Sequence, residues 1–317
     1  MGNAAPSFDI LGYDHIKVAL KDPERYELIL KAFGFSAVSH HPDHLNKPRS
    51  VYGSGDAFFV IYPSDHPTAR MHHELHGDTV FDLSFLVKSN GDHPMLFEGV
   101  GKMKHSLVTT RTFAGVPAPF GILKFDHNTL NVERGEMSKT VDYYLQTFGF
   151  EKGQYFDIKG QETGLYSWVT RAPNKTVQIP FNESQDDKSQ IQEFIKVHKG
   201  GGVQHIALLT PNVIQTMERL RDKPTADINF LTIPDTYYEI VSQRYKIRES
   251  FEDLKRLRIQ VDADKKGGYL LQIFTGVLFG GFFFELIQRE GNEGFGEGNF
   301  QALFESMELD QKRRGVL

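Results

Sequence analysis

Short segments in which apolar and polar residues alternate dominate this chain. Segments such as AFFVIYP (57–63), LYSWVT (165–170) and LLQIFT (270–275) are rich in aromatic and β-branched residues, which favours β-strands. Two longer segments, 23–35 and 136–150, place apolar residues at helical spacing and end in Phe-Gly-Phe, which predicts helices that stop at a glycine. The pattern predicts short strands interrupted by a few modest helices.

The same order of elements occurs twice. GYDHIKVAL (12–20) and KFDHNTLNV (124–132) each place Asp-His in an alternating segment, and each precedes one of the two predicted helices. TVFDLSFLV (79–87) and GVQHIALLT (202–210) form a second matching pair in the same order. A repeat of this kind predicts one architecture used twice.

Two further segments bear on the domain organisation. Gly and Pro cluster in TFAGVPAPFG (112–121), and we place the boundary there, between a domain of residues 1–115 and a domain of residues 116–317. Residues 267–284 carry no charge and could resemble a membrane span, but their glycines and Gln272 favour two buried strands around a turn.

Composition removes several classes of function. The chain has no cysteine, which excludes disulfides, thiolate metal sites and cysteine nucleophiles, so any metal must use His, Asp or Glu. The net charge of -5 provides no basic surface for nucleic acid. The first residues lack the basic region and apolar run of a signal peptide, so no secretion signal is expected.

Three residues in the second half are candidate metal ligands. His127, His205 and Glu285 each lie within a predicted strand, and period-2 alternation allows all three to face the inside of a curled sheet. Two imidazoles and one carboxylate are the set with which non-haem Fe(II) oxygenases hold iron while leaving open positions. A lone strand histidine is more often simply hydrogen-bonded, and the chain has 13 histidines. Glu285 favours the metal, because a carboxylate between FFF and LI is costly to desolvate unless it is paired or coordinated.

The other histidines are weaker candidates. His15 and Asp82 occupy the corresponding places in the first half, but no carboxylate strand follows them, so we expect His15 to be structural. The histidines within 40–44 stand in a proline-containing polar segment, which predicts a solvated turn. His72 and His76 have the spacing of a helical zinc pair but no third ligand, so we expect them in a loop or at the surface.

The segments around the three candidate ligands resemble 4-hydroxyphenylpyruvate dioxygenases. The resemblance covers roughly residues 121–310 and rests on the repeat alone over 1–112. The matching strings are FDIKGQETGLYSWV, IPFNES, KSQIQEFI, GGGVQHIAL, GGYLLQIFT, FFFELIQREG and GFGEGNFQALFESME.

The resemblance implies an α+β fold of two tandem vicinal-oxygen-chelate (βαβββ repeat) open barrels with a C-terminal lid helix. Residues 1–115 would form a non-catalytic barrel and residues 116–317 the catalytic one, with one Fe(2+) per chain. The implied reaction converts 4-hydroxyphenylpyruvate and O2 to homogentisate and CO2 in tyrosine and phenylalanine catabolism. It further implies a cytoplasmic homo-oligomer, a dimer or tetramer, with no nucleic-acid or membrane partner.

The resemblance also implies a substrate pocket. Ser167, Asn182 and Gln272 would take catalytic roles by orienting the phenol end of the substrate, and an aromatic wall would keep the cavity dry. Gln204 recurs beside the ligand in the family, but alternation directs it away from the His205 face, so it is left out. The implied substrate-binding residues are Ser167, Asn182, Gln190, Gln272, Phe274, Phe283, Phe295, Asn299 and Phe300.

Simpler interpretations remain for these positions. Most phenylalanines would pack in the core, Asn182 could be a turn residue, and Gln190 could lie on an exposed helix position.

Three other functions remain open. A 4-hydroxymandelate synthase would share fold, ligands and substrate but hydroxylate the benzylic carbon. An extradiol catechol dioxygenase would need an additional histidine for proton transfer, and only His198 could serve. A non-catalytic small-molecule-binding protein of the same fold would leave Glu285 buried without a reason.

Overall fold

The computed structural model describes residues 6–38, 47–159, 163–222, 228–296, 298–299 and 315. Within these ranges the chain forms two mixed β-sheets with helices packed against them, which confirms the α+β class. The predicted lid helix and the histidines of 40–44 lie outside the described residues.

The first sheet has seven strands in the order β2-β3-β4-β1-β5-β7-β6. Its strands are β1 (Phe8–Leu20), β2 (Ser36–Ala37), β3 (Ser50–Ser54), β4 (Ala57–Pro63), β5 (Thr79–Ser89), β6 (Leu96–Glu98) and β7 (Lys104–Val108). Its helices are α1 (Pro23–Ala32), α2 (Arg70–His76) and a 3-10 turn at Val100–Lys102.

The second sheet has eight strands in the order β13-β14-β15-β12-β8-β11-β10-β9. Its strands are β8 (Lys124–Val132), β9 (Glu151–Lys159), β10 (Gly164–Arg171), β11 (Gln178–Ser184), β12 (Gly202–Leu209), β13 (Gln260–Ala263), β14 (Tyr269–Phe274) and β15 (Phe283–Glu290). Its helices are α3 (Met137–Phe148), α4 (Gln190–His198), α5 (Val213–Arg221), α6 (Asp235–Arg244) and α7 (Phe251–Leu257).

The two sheets repeat one topology, as the sequence predicts. The central strand β1 pairs with β4 in parallel and with β5 antiparallel, and β8 pairs with β11 and β12 in the same two ways. The pairs β5–β7 and β12–β15 are both parallel. Each position of the first sheet therefore has a counterpart in the second, and β13 is an added edge strand.

The predicted helices form for local reasons. Asp22 accepts a hydrogen bond from the backbone N–H of Arg25 and caps α1, which begins at Pro23, a residue already suited to the first helical turn. Gly149 adopts the left-handed conformation that ends α3. The uncharged segment 267–284 forms β14, a turn at Gly280-Gly281 and the start of β15. No helix in the described ranges is long and apolar enough to cross a membrane.

Aromatic side chains join the two halves. The ring of Phe59 in β4 lies 5.2 Å from that of Phe125 in β8 and 5.6 Å from that of Phe284 in β15. Gly280 packs so closely that a Cβ there would lie 2.2 Å from the carbonyl oxygen of Asp78, so only glycine fits. The halves therefore share one hydrophobic core.

The expectation for His72 and His76 was wrong. Both lie on α2 and are buried, with 1% and 8% of their surface exposed. His72 stacks on Phe81, and the two ring nitrogens of His76 lie 2.9 Å from the carbonyl oxygen of His198 and 2.7 Å from that of Gly101. The lack of a third ligand suggested a loop or the surface, but tertiary contacts cover these rings.

Candidate metal centre

Three adjacent strands bring the candidate ligands together. His127 lies in β8, His205 in β12 and Glu285 in β15, and Ala207 pairs with both His127 and Glu285 across the sheet. Nε2 of His127 lies 3.2 Å from Oε2 of Glu285, and Nε2 of His205 lies 3.5 Å from the same atom. All three side chains are buried, and their ligand atoms lie within 4.8 Å of one another.

The electrostatics of these residues fit a divalent cation. The carboxylate of the buried Glu285 pairs with the imidazoles of His127 and His205. Burial by itself lowers the pKa of His127, but the carboxylates of Glu285 and Asp126 outweigh it and raise the pKa to about 9. Burial and the neighbouring His127 hold the pKa of His205 well below its usual range. Without a metal, the proton on His127 balances Glu285, and a bound cation would take over that positive charge as the proton leaves. Two imidazoles with one carboxylate form a donor set suited to iron.

The ring of His127 is oriented from behind. Its Nδ1 lies 2.8 Å from Oδ1 of Asp126, and Asp126 accepts two hydrogen bonds, of 2.8 and 2.7 Å, from the guanidinium of Arg289. Burial alone raises the pKa of Asp126, but Arg289 and His127 outweigh it and hold the pKa below its ordinary range. An ionised Asp126 fixes the Nδ1–H tautomer, which leaves Nε2 free to bind a metal.

The ring of His205 is held by packing instead. It stacks on Phe283 at 4.9 Å between centroids and meets Phe274 edge-on at 6.1 Å. Its Nδ1 has no hydrogen-bond partner among the described residues. The two imidazoles are thus positioned by different means.

A cavity opens beside the three ligands. Polar side chains of β10, β11, α4 and β12 line it together with several phenylalanines. The lining residues are His127, Thr129, Ile158, Leu165, Ser167, Val169, Pro180, Asn182, Gln190, Gln204, His205, Phe274, Phe283, Glu285 and Phe295.

Six of the nine implied substrate-binding residues line this cavity. Two others do not line it, and the ninth lies outside the described residues. Gln272 lies on the same side of β14 as Phe274 but is fully buried, and its amide packs against Gly296. Asn299 accepts a hydrogen bond from the Tyr237 hydroxyl at 2.7 Å. Phe300 lies outside the described residues.

The expectation that Gln204 points away from the His205 face was wrong. The pairing of β12 with β8 shifts register between Val203 and His205, so strict alternation fails there and both Gln204 and His205 line the cavity. Gln204 donates a hydrogen bond of 3.1 Å to the side-chain oxygen of Gln190. Gln190 is itself buried at the start of α4, not an exposed helix residue. A register shift leaves no mark in the residue pattern, although the position of Gln204 beside a candidate ligand was a usable signal.

The first half has a different cluster at the corresponding place. Strand register equates His15, Asp82 and Ser106 with His127, His205 and Glu285. These three residues belong to one buried hydrogen-bond network, which also includes Lys17. Among the described residues, the second-half triad is the group able to hold a metal.

Comparison with known proteins agrees with the fold. Residues 124–261 match the model of the Glyoxalase/Bleomycin resistance protein/Dioxygenase superfamily. A 4-hydroxyphenylpyruvate dioxygenase of Legionella pneumophila is 36% identical over 340 residues, with 96% of each chain covered. Hemolysin VllY of Vibrio vulnificus is 37% identical over 350 residues, again with 96% of each chain covered.

A solved structure supports the same fold. A triple mutant of 4-hydroxymandelate synthase from Streptomyces coelicolor superimposes with a TM-score of 0.80 at 26% identity, covering 97% of this chain and 100% of that one. The fold is thus of the vicinal-oxygen-chelate type. From its identity to relatives over nearly its whole length, the chain belongs to the 4-hydroxyphenylpyruvate dioxygenase family.

Proposed function

We propose that this protein is an Fe(II)-dependent dioxygenase that converts 4-hydroxyphenylpyruvate and O2 to homogentisate and CO2. One observation carries the proposal: a buried set of two imidazoles and one carboxylate opens onto a cavity that is part polar and part aromatic, in a chain of this family. Residues 116–317 would carry the catalytic site, and residues 1–115 would support it.

His127, His205 and Glu285 would hold the iron. Bound there, Fe(II) would supply the redox chemistry with O2 and a chelating position for the 2-oxo acid of the substrate. Because the substrate provides its own 2-oxo acid, 2-oxoglutarate is not needed.

The polar residues of the cavity would hold the phenol. The hydrogen bond between Gln204 and Gln190 occupies Nε2 of the first and Oε1 of the second. It leaves Oε1 of Gln204 as an acceptor and Nε2 of Gln190 as a donor, a pair that matches a hydroxyl group, which both donates and accepts. Ser167 and Asn182, which pair directly across β10 and β11, would add further partners.

The phenylalanines would hold the ring and exclude water. Phe274 and Phe283 pack around His205, and Phe295 meets the ring of His127 at 5.1 Å. Aromatic rings favour such edge and offset contacts with another ring. A dry wall at this place keeps water from the reacting carbon atoms.

The test is product identification. Purified protein loaded with Fe(II) should consume O2 with 4-hydroxyphenylpyruvate alone and form homogentisate, detected by chromatography. A requirement for added 2-oxoglutarate would overturn the proposal.

The structural likeness to 4-hydroxymandelate synthase makes that activity the second candidate. Both enzymes would use the same substrate, so 4-hydroxymandelate in place of homogentisate would favour it. Bound metal with no turnover would favour a binding protein.

A further inference from the structure

Arg289 touches two structures that the proposed reaction needs. It lies in β15, four residues after Glu285, and its side chain is 16% exposed. Nε and Nη2 donate to the two carboxylate oxygens of Asp126, at 2.8 and 2.7 Å. Nη1 donates to the backbone carbonyls of Asn292 and Gly294, at 3.1 and 2.6 Å. One guanidinium therefore joins the carboxylate behind a metal ligand to the segment that follows β15.

That segment leads directly into the cavity wall. Phe295 follows Gly294, lines the cavity and meets the ring of His127 edge-on. The guanidinium carbon of Arg289 lies 5.8 Å from the centroid of the Phe295 ring. His127 is thus linked through Asp126 and Arg289 to residues 292–294. Phe295, the next residue, contacts His127 again, so the contacts form a closed ring.

Other contacts hold this segment less firmly. The ion pair between Glu293 and Lys175 is exposed, with side-chain exposures of 69% and 45%, and exposed pairs stabilise little. The hydrogen bond from the Gly294 N–H to the Asn292 side chain lies within the segment and does not attach it to the barrel. Asn292 reaches the Gly268 carbonyl only at 3.5 Å. Just outside 292–296, Gly291 forms a backbone bridge with Tyr269, and the Gly298 N–H donates to Asp262 at 2.9 Å. Apart from the exposed ion pair, Arg289 makes the shortest described hydrogen bonds between 292–296 and the barrel.

The geometry requires a guanidinium. Two parallel bonds to a carboxylate and two bonds to carbonyls use separate N–H groups of one rigid planar fork. A lysine ammonium could keep the charge near Asp126 but could not hold both sides in fixed relation.

We propose that Arg289 is a positioning residue that sets the orientation of the metal ligand His127 and the place of the cavity wall at Phe295 together. It would touch neither metal nor substrate. Its catalytic consequence rests on the proposed function, whereas its effects on metal binding and on the backbone at 292–296 do not.

The experiment compares three variants with the wild-type protein. Arg289→Lys keeps the positive charge but removes the planar guanidinium that contacts both sides. Asp126→Asn disturbs the contact between Arg289 and the partner of His127, and leaves the hydrogen bonds from Arg289 to residues 292 and 294 in place. Arg248→Lys is the matched control. Arg248 is an exposed arginine that pairs with Glu290, the residue next to Arg289 in β15. The readouts are the Co(II) dissociation constant, amide hydrogen exchange over 292–296, and the ratio of homogentisate formed to O2 consumed.

Arg289→Lys should raise the dissociation constant by about 10- to 100-fold, as loss of a partner behind a metal ligand commonly does. It should also speed exchange over 292–296 and lower the product ratio. Asp126→Asn should weaken metal binding with a smaller effect on exchange, and Arg248→Lys should change none of the three.

Faster exchange with unchanged Co(II) affinity would overturn the proposal, since Arg289 would then clamp the segment only. Weaker Co(II) binding with unchanged exchange would overturn it equally. If even the wild-type protein formed no homogentisate, the proposed function would fail, while the other two readouts would still decide the role of Arg289.

Discussion

Lys17 donates a hydrogen bond of 2.9 Å to the buried carboxylate of Asp82, the residue that strand register equates with His205. Nζ of Lys17 also lies 3.4 Å from Oγ of Ser106, the counterpart of Glu285. Burial alone raises the pKa of Asp82, but Lys17 and His15 outweigh it and lower the pKa. In the first barrel an ammonium group thus supplies the positive charge that a metal would supply in the second.

Replacing Lys17 by Met should therefore destabilise the protein. Asp82 would keep its hydrogen bonds from Ser84 and Ser106 but lose its cation, and an uncompensated buried charge costs about 3 kcal/mol. Urea unfolding should show this loss, whereas Lys139→Met, which removes an exposed ammonium, should cost little. Equal stability of the two variants would show that Lys17 does not balance Asp82.

Iron binding should depend on His127, His205 and Glu285 and not on His15, the first-half counterpart of His127. His127→Ala, His205→Ala or Glu285→Ala should abolish iron binding and turnover, because each removes one of three ligands. His15→Ala should leave iron bound, since His15 lies in the other barrel. Iron binding is measured as the metal content after gel filtration. Circular dichroism checks that each variant is folded. Iron lost from the His15 variant but kept by the His205 variant would place the site in the first half.

Gln204 should contribute to substrate binding. Gln204→Leu removes the hydrogen bond to Gln190 and an acceptor facing the cavity. A hydrogen bond is worth about 1 kcal/mol, so the KM for 4-hydroxyphenylpyruvate should rise roughly five- to tenfold. Gln215→Leu, at an exposed position of α5, is the control. An unchanged KM in steady-state kinetics would mean that Gln204 only packs against Gln190.

Phe295 should control product formation. Phe295→Ala opens the wall beside His127, admits water and lets the substrate ring move. The ratio of homogentisate to CO2 should fall, with some 4-hydroxymandelate or 4-hydroxyphenylacetate appearing. Chromatography and radiolabelled CO2 give the ratio, and Phe251→Ala, which lies away from the cavity, should keep it. A wild-type ratio in the Phe295 variant would leave this ring a packing role alone.

His105 should make stability depend on pH. It is fully buried, with Nδ1 donating to the Leu83 carbonyl and Nε2 accepting from the Tyr144 hydroxyl. Burial lowers the pKa of His105 to about 4, below the ordinary 6.5 of the unfolded chain. Its contribution is therefore present above pH 6.5 and is lost as the pH falls towards 4, a change of about 3 kcal/mol.

The measurement is urea unfolding of the metal-free protein between pH 7 and pH 4. His105→Gln, which can still donate and accept but does not titrate, should show a shallower loss of stability. His93→Gln, at a half-buried site near the surface, should keep the wild-type slope. Equal slopes for the His105 variant and the wild type would show that His105 is not buried in its neutral form.

Residue pattern alone predicted the strands, the helices at α1 and α3 and the doubled topology. Alternation, helical spacing and glycine stops are local properties that the chain carries wherever it folds. The same local information marked His127, His205 and Glu285, because a carboxylate between phenylalanines and aliphatic residues has few stable environments.

Only the tertiary structure decided how these residues are supported. Asp126 and Arg289 are 163 residues apart, and only the pairing of strands brings them together behind His127. The register shift in β12 that turns Gln204 into the cavity depends on its partner strand, and the burial of His72 depends on packing from elements outside its own helix. Sequence determines what a residue can do within its own segment, whereas its partners come from long-range packing, which no local pattern records.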